Sequence, residues 1–175
     1  MVLKPLRAQT RSGATERGTC LSDTSPPTAP TTAIPVVSTR GLSEDMIRAV
    51  VDRFYANARE DELVGPVFKA AVPDQRWQAH LDTIVDFWSS VLLGTRRYDG
   101  RPLRKHLMLP ELQDVQFRRW LALFRQTVEE VCPPDLAAFW VDRSERIGNS
   151  FRISVRMHNG DDVTGLRPLE REVLP

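Results

Sequence analysis

Two of the chain's three histidines, His80 and His106, stand 26 residues apart in settings that suit metal chemistry. His80 lies on an apolar helical face, in the run WQAHLDTIVDFW, and His106 sits in a proline-flanked break, YDGRPLRKHLMLP from Tyr98 to Pro110. A haem uses such a pair: one imidazole ligates iron from one side, while a second imidazole or a polar residue meets the ligand on the other. A single straight helix would hold the two roughly 39 Å apart, at about 1.5 Å per residue, so they share a site only if the chain turns back between them. Gly94, Gly100 and Pro102 supply that turn.

Other side chains bear on the same chemistry. A neutral imidazole at His106, beside Leu107, Met108 and Leu109, needs a polar partner. Tyr55 follows the stripe residue Phe54 and adds a hydroxyl that must find a partner if buried, whereas the Trp120 indole can donate but not accept. Arg97, Arg104 and Lys105 form either a solvated basic face or the mouth of a pocket, where they would meet the carboxylates of a cofactor. The competing metal chemistry is a non-haem site built from His80, His106 and Asp82 or Asp86. It lacks the short helical spacing of di-iron proteins, and its surroundings are apolar rather than carboxylate-rich. His158 reads as solvated. No phosphate-binding loop, dinucleotide fingerprint, H-E-x-x-H or nucleophile motif is present.

The elements that must position these residues are helical. Ser43 caps a stripe of Met46, Ile47, Val50, Val51 and Phe54 that runs to about Arg59. Gly65-Pro66 reads as a break, with Phe68 on the connecting turn and Asp74 as the cap of the next helix. In that helix Trp77, Leu81, Ile84, Trp88 and Val91 step by four, three, four and three onto one face, and His80 lies on the adjacent row. One short helical turn is expected around Leu103–Leu107. A third long helix carries Phe117, Trp120, Leu121, Phe124, Val128 and Val131, and Pro133-Pro134 opens a fourth with Leu136, Phe139, Trp140, Ile147 and Phe151. Strand alternation is absent, so the fold class is all-α.

Composition sets the outer bounds. With 175 residues, 41% of them apolar, the chain suits one domain with a core. All thirteen aromatic residues fall between Phe54 and Phe151. A formal charge of +1 with interspersed signs argues against nucleic acid, and no apolar run reaches the roughly 20 residues that span a bilayer. Two cysteines are too few for a disulfide framework, which points to a reducing, cytoplasmic setting. Residues 1–40, with five prolines and no aromatic residue, read as a disordered leader. From His158 onward the periodicity is lost, and 158–175 reads as a charged C-terminal tail.

The succession RFY at 53–55, GPVF at 65–68, WQAHL at 77–81, IVDFW at 84–88, YDGRPLRKHLMLP at 98–110, FRRWLALF at 117–124 and ERIGNSF at 145–151 resembles a group III truncated haemoglobin. The similarity spans about 43–157 and lacks the paired glycine motifs of the other truncated groups. It implies a two-over-two helical globin over 41–157 that binds one haem b per chain, non-covalently since no C-x-x-C-H is present. In that family likeness His106 is the proximal iron ligand, Phe68 packs on the haem, and Tyr55, His80 and Trp120 line the distal side. Tyr98 and Lys105, in the run around His106, are the further expected cofactor contacts. The expected activity is reversible binding of O2, NO or CO. The alternatives are a haem-dependent redox enzyme for NO detoxification or peroxide reduction, served by an electron-donating reductase, and a helical interaction module without haem.

Overall fold

The computed structural model describes residues 41–109 and 112–174 of the chain; the leader expected over 1–40 lies outside the described residues. Among the described residues every regular element is a helix. Helix α1 spans Glu44–Glu60, α2 Gly65–Ala71, α3 Trp77–Leu93, α4 Pro102–His106, α5 Asp114–Val131 and α6 Pro134–His158, with a 3-10 turn at Asp74–Arg76 leading into α3. None is long and apolar enough to cross a membrane. Helices α1 and α3 pack as one pair and α5 and α6 as another, and α1 against α5 joins them. This is the two-over-two arrangement of a truncated globin.

Local chemistry explains most boundaries. The Ser43 side chain accepts the Met46 N–H at 3.2 Å, which satisfies one of the free donors at the start of α1. At the head of α5 the Gln113 N–H donates to the Gln116 side chain at 3.1 Å. Pro134 occupies the first turn of α6, where its missing N–H has no consequence. Helix α3 ends on Gly94 at φ +69°, a left-handed backbone that a side chain would oppose, and the chain leaves toward α4 from there. Close approach of α5 and α6 depends on Gly148, because a Cβ there would stand 3.2 Å from Leu121 Cδ2.

Three local expectations are corrected. Phe68 does not lie on a turn: Gly65-Pro66 starts α2, with Pro66 tolerated in its first turn, and Phe68 is inside that helix. Asp74 does not cap α3, whose first turn carries no side-chain cap; its carboxylate pairs with Arg59 instead. The buried row of α3 is Leu81, Val85, Trp88 and Leu92, while Val91 is 38% exposed. The average spacing of the expected stripe, about 3.5 residues, falls short of the roughly 3.6 residues of a helical turn, so the core-facing row drifts off it along the helix.

The main core gathers Ile47, Val50, Val51 and Phe54 of α1 with Leu81 and Trp88 of α3, Phe124 and Val128 of α5, and Leu136 and Trp140 of α6. A second, smaller cluster of Leu112, Phe117 and Val155 takes Leu107, Leu109, Phe151 and Leu169 at its edge. Arg152 anchors this second cluster. Its guanidinium, 6% exposed, makes two bonds to the Asp114 carboxylate at 2.8 and 2.7 Å.

Removing Asp114 should strand that buried charge: Asp114→Ala is expected to cost about 3 kcal/mol in urea unfolding. The hydrogen bonds and charge of Arg152, aided by Arg156, hold the Asp114 carboxyl below the ordinary carboxylate range. The stability linked to it is therefore present above the unfolded value of about 4 and is lost as pH falls through the lower folded value. Asp114→Asn should remove this part of the acid dependence, and an unchanged acid profile would contradict the assignment.

Candidate functional site

Helix α4 has only five residues, yet it sets the most specific geometry in the molecule. Pro102 stands four residues before His106, so its carbonyl lies one turn back along the helix. His106 Nδ1 is 2.8 Å from that carbonyl oxygen. A carbonyl can only accept, so Nδ1 carries the proton and the lone pair is on Nε2. Burial lowers the His106 pKa, against the raising effect of the Pro102 bond, and the ring is neutral at neutral pH. Its ring packs against Phe151 of α6 at a tilt of 54°, with ring centroids 4.8 Å apart.

His80, one turn into α3, is half-buried. Burial first, and then repulsion from His106 when both rings are protonated, hold its pKa below the ordinary imidazole range. Its Nε2 is buried and has no hydrogen-bond partner. An orphaned polar atom of this kind costs roughly 1–3 kcal/mol, which an incoming group could offset. Aromatic neighbours hold the ring in place: Trp77 at 5.7 Å and Tyr55 at 5.9 Å, the latter at 90° to it. Arg59 lies over the Trp77 ring at 4.4 Å, while its guanidinium pairs with Asp74.

Tyr55 sits at the centre of this group, 5% exposed, with Phe68 at 5.4 Å and Trp77 at 6.1 Å. Burial pushes its phenol well above the ordinary range, and the polar edge of the nearby Trp120 side chain opposes the shift. The indole N–H can only donate, whereas the Tyr55 hydroxyl can donate or accept, so the two bring polar atoms of different capacity to one place. The structure thus brings Tyr55, Phe68, His80 and Trp120 to one side, while His106 stands on α4 against Phe151.

Tyr98 and Lys105 stand apart from that group. The Tyr98 N–H donates to Ser90 Oγ at 3.0 Å and its half-buried ring meets Phe87 at 5.3 Å, while Lys105 is exposed next to His106. Arg97 is not free to greet a cofactor, since it binds Glu44 at 2.8 Å and Asp86 at 3.0 Å. Asp82 is likewise paired with Arg48 at 2.8 Å. With both carboxylates engaged, and with no cluster of three or more metal-binding side chains among the described residues, the non-haem alternative loses its ligand set. Residue types and spacing do not single out Trp77, Phe151 or the Pro102 carbonyl as parts of the site. A Pro four residues before a His is the available signal for the last.

In a spectrophotometric titration of the two tyrosines, Tyr98 should ionise first, although partial burial and Asp99 raise it too. Tyr55 should ionise only with alkaline unfolding. Its folded pKa lies above the unfolded value of about 10, so the linked stability is present below that pH and lost as pH rises. Reversible ionisation of Tyr55 alongside Tyr98 in the folded protein would place its hydroxyl in water instead.

Comparison with known proteins bears on this arrangement directly. The bacterial-like globin family matches residues 40–140. The group 3 truncated hemoglobin ctb of Campylobacter jejuni is 31% identical over 121 residues, 68% of this chain and 95% of that protein. The crystal structure of group III truncated hemoglobin from Campylobacter jejuni superposes with a TM-score of 0.63 at 30% identity, covering 66% of this chain and 93% of the other.

Proposed function

We propose that this chain, which belongs to the bacterial-like globins and among them to the group III truncated haemoglobins, binds one haem b non-covalently and takes a diatomic gas ligand on it. The observation that carries the reading is the fixed tautomer of His106: its Nδ1–H is tied to the Pro102 carbonyl, so a neutral Nε2 is left as an axial ligand. The surrounding residues fit the group. The half-buried rings of Phe68, Trp77, Phe87, Trp120 and Phe151 offer apolar surface, and the orphaned His80 Nε2 supplies a polar atom with nothing else to bind.

When bound, haem would supply a ferrous iron able to coordinate an imidazole and O2, NO or CO. His106 would hold it, oriented by the Pro102 carbonyl and by packing against Phe151. The Tyr55 hydroxyl and the Trp120 indole N–H would be the donors to a ligand atom that draws negative charge, as O2 does. His80 would stand as a gate: its ring packs beside Trp77 and Tyr55, but no hydrogen bond ties its Nε2. Lys105, exposed beside His106, is placed to meet a carboxylate of the cofactor, and Tyr98 would close the rim.

His106→Ala should release haem or leave it readily extractable, as judged by the Soret band after challenge with a haem scavenger, whereas His158→Ala should retain it. Equal retention in wild type and His106→Ala would sink the assignment. A donor to a partly charged ligand contributes about 1.5 kcal/mol, so Tyr55→Phe should speed O2 dissociation on the order of tenfold in stopped flow. Trp120 lies beside Tyr55, so the double variant should depart from the product of the single effects. Slow wild-type dissociation favours ligand chemistry or sensing over oxygen delivery; fast dissociation unchanged in the variants would remove both donors from the site and favour delivery.

A further inference from the structure

The family match ends at residue 140, and α6 ends at His158, yet the segment 159–174 is tied down along its length. Arg152 Nη1 donates to the Arg167 carbonyl at 2.8 Å, and the Leu169 N–H donates to Asn149 Oδ1 at 3.2 Å. Arg171 reaches the Glu145 carboxylate at 2.7 and 3.1 Å. The Glu172 carboxylate accepts from Arg119 at 3.0 Å, and its backbone carbonyl accepts from Arg125. Between these polar ties, the Leu169 side chain packs on the cluster of Leu112, Phe117 and Val155.

That cluster is also what seats His106. Helix α4 is too short to be stable alone, because a nucleated helix needs several turns to recover its entropy. Its position therefore depends on the neighbouring segments that pack beside it. Leu107 and Leu109 pack on the same Leu112, Phe117 and Val155 surface, and so does Phe151, whose ring supports the His106 imidazole at 4.8 Å. Arg152, next to Phe151, divides its guanidinium between Asp114 and the Arg167 carbonyl, so the helix that carries Phe151 and the C-terminal segment share one anchor.

We infer that residues 159–174 form a positioning strap for the proximal side of the site: Leu169 completes the apolar seat of the His106 segment, and Glu172 clamps the strap to α5. The inference rests on the proposed role of His106 as axial ligand. Leu169 is a positioning residue, acting through the cluster on the orientation of the imidazole. A strap held by half-exposed ion pairs at Glu172 and Arg171 is loosened by salt, so the coupling should weaken as ionic strength rises.

The test uses full-length, haem-loaded protein and reads the iron–imidazole stretching band of the ferrous form by resonance Raman spectroscopy. Leu169→Ala should shift or broaden the band and speed haem loss on the order of fivefold, and Leu169→Met should restore both. Glu172→Gln should speed amide hydrogen exchange in residues 159–174 and move the band in the same direction, by less. Val173→Ala, at a side chain that is 87% exposed, should change nothing. Val128→Ala, in the main core, should lower stability without moving the band, which separates positioning from general destabilisation. An unmoved band in Leu169→Ala, at equal haem content, overturns the strap and leaves the haem reading intact. Failure of the protein to acquire a Soret band overturns both.

Discussion

The Phe124 ring joins all four long helices. It is fully buried on α5, stacks on Trp120 of the same helix at 4.9 Å and 8°, and stacks on Trp88 of α3 at 5.2 Å and 19°. Phe54 of α1 meets it edge-on at 5.0 Å, and Trp140 of α6 lies 5.7 Å away. Each such pair adds about 0.5–1.5 kcal/mol beyond the apolar area it buries. More important here is direction, because rings prefer a few relative orientations and so fix helix rotation as well as spacing. Tyr55 follows Phe54 and Trp120 precedes Phe124 by one turn, so the two polar rings of the site inherit their positions from this packing.

The two sides of the site are built on different principles. On the side of Tyr55, His80 and Trp120, long helices carry the residues and the buried His80 Nε2 lacks a partner, which favours an incoming polar group. On the side of His106 the helix is one short turn, and its stability is borrowed from the second apolar cluster and from Arg152. Hydrogen bonding there is complete at Nδ1 and open at Nε2. The two sides thus differ in how their positions are held, one by long helices and the other by packing around a single short turn.

Charge is distributed to match. Pairs such as Arg146 with Asp142 lie in water and contribute little. The pairs that matter are shielded. The Asp61 carboxylate, 6% exposed, receives the Leu63 and Val64 N–H groups as well as Arg119, so burial, which alone would raise its pKa, is outweighed and the carboxyl is held below the ordinary range. It closes the corner between α1 and α2, where the chain turns to deliver Phe68 beside Tyr55.

Much of this architecture is legible from residue order. Periodicity marks the four long helices, Ser43 announces the start of α1, the prolines and glycines around His106 mark the short turn, and the histidine pair points to the chemistry. These signals are local, each complete within one or two turns of chain. Helix α2 reads as a turn in the sequence because Gly65-Pro66 is equally a breaker and a helix start, and only the fold selects between them. The buried row of α3 likewise lies one step from the expected stripe, since apolar residues sit on adjacent rows and the neighbouring helix chooses which to cover. Tertiary structure alone decides that Trp120 comes beside Tyr55, that His80 Nε2 has no partner, and that residues 159–174 return to the cluster that Phe151 and Leu107 pack on. A polar atom's partner is settled by which elements dock, and docking is a property of the whole packed core rather than of any stretch of chain.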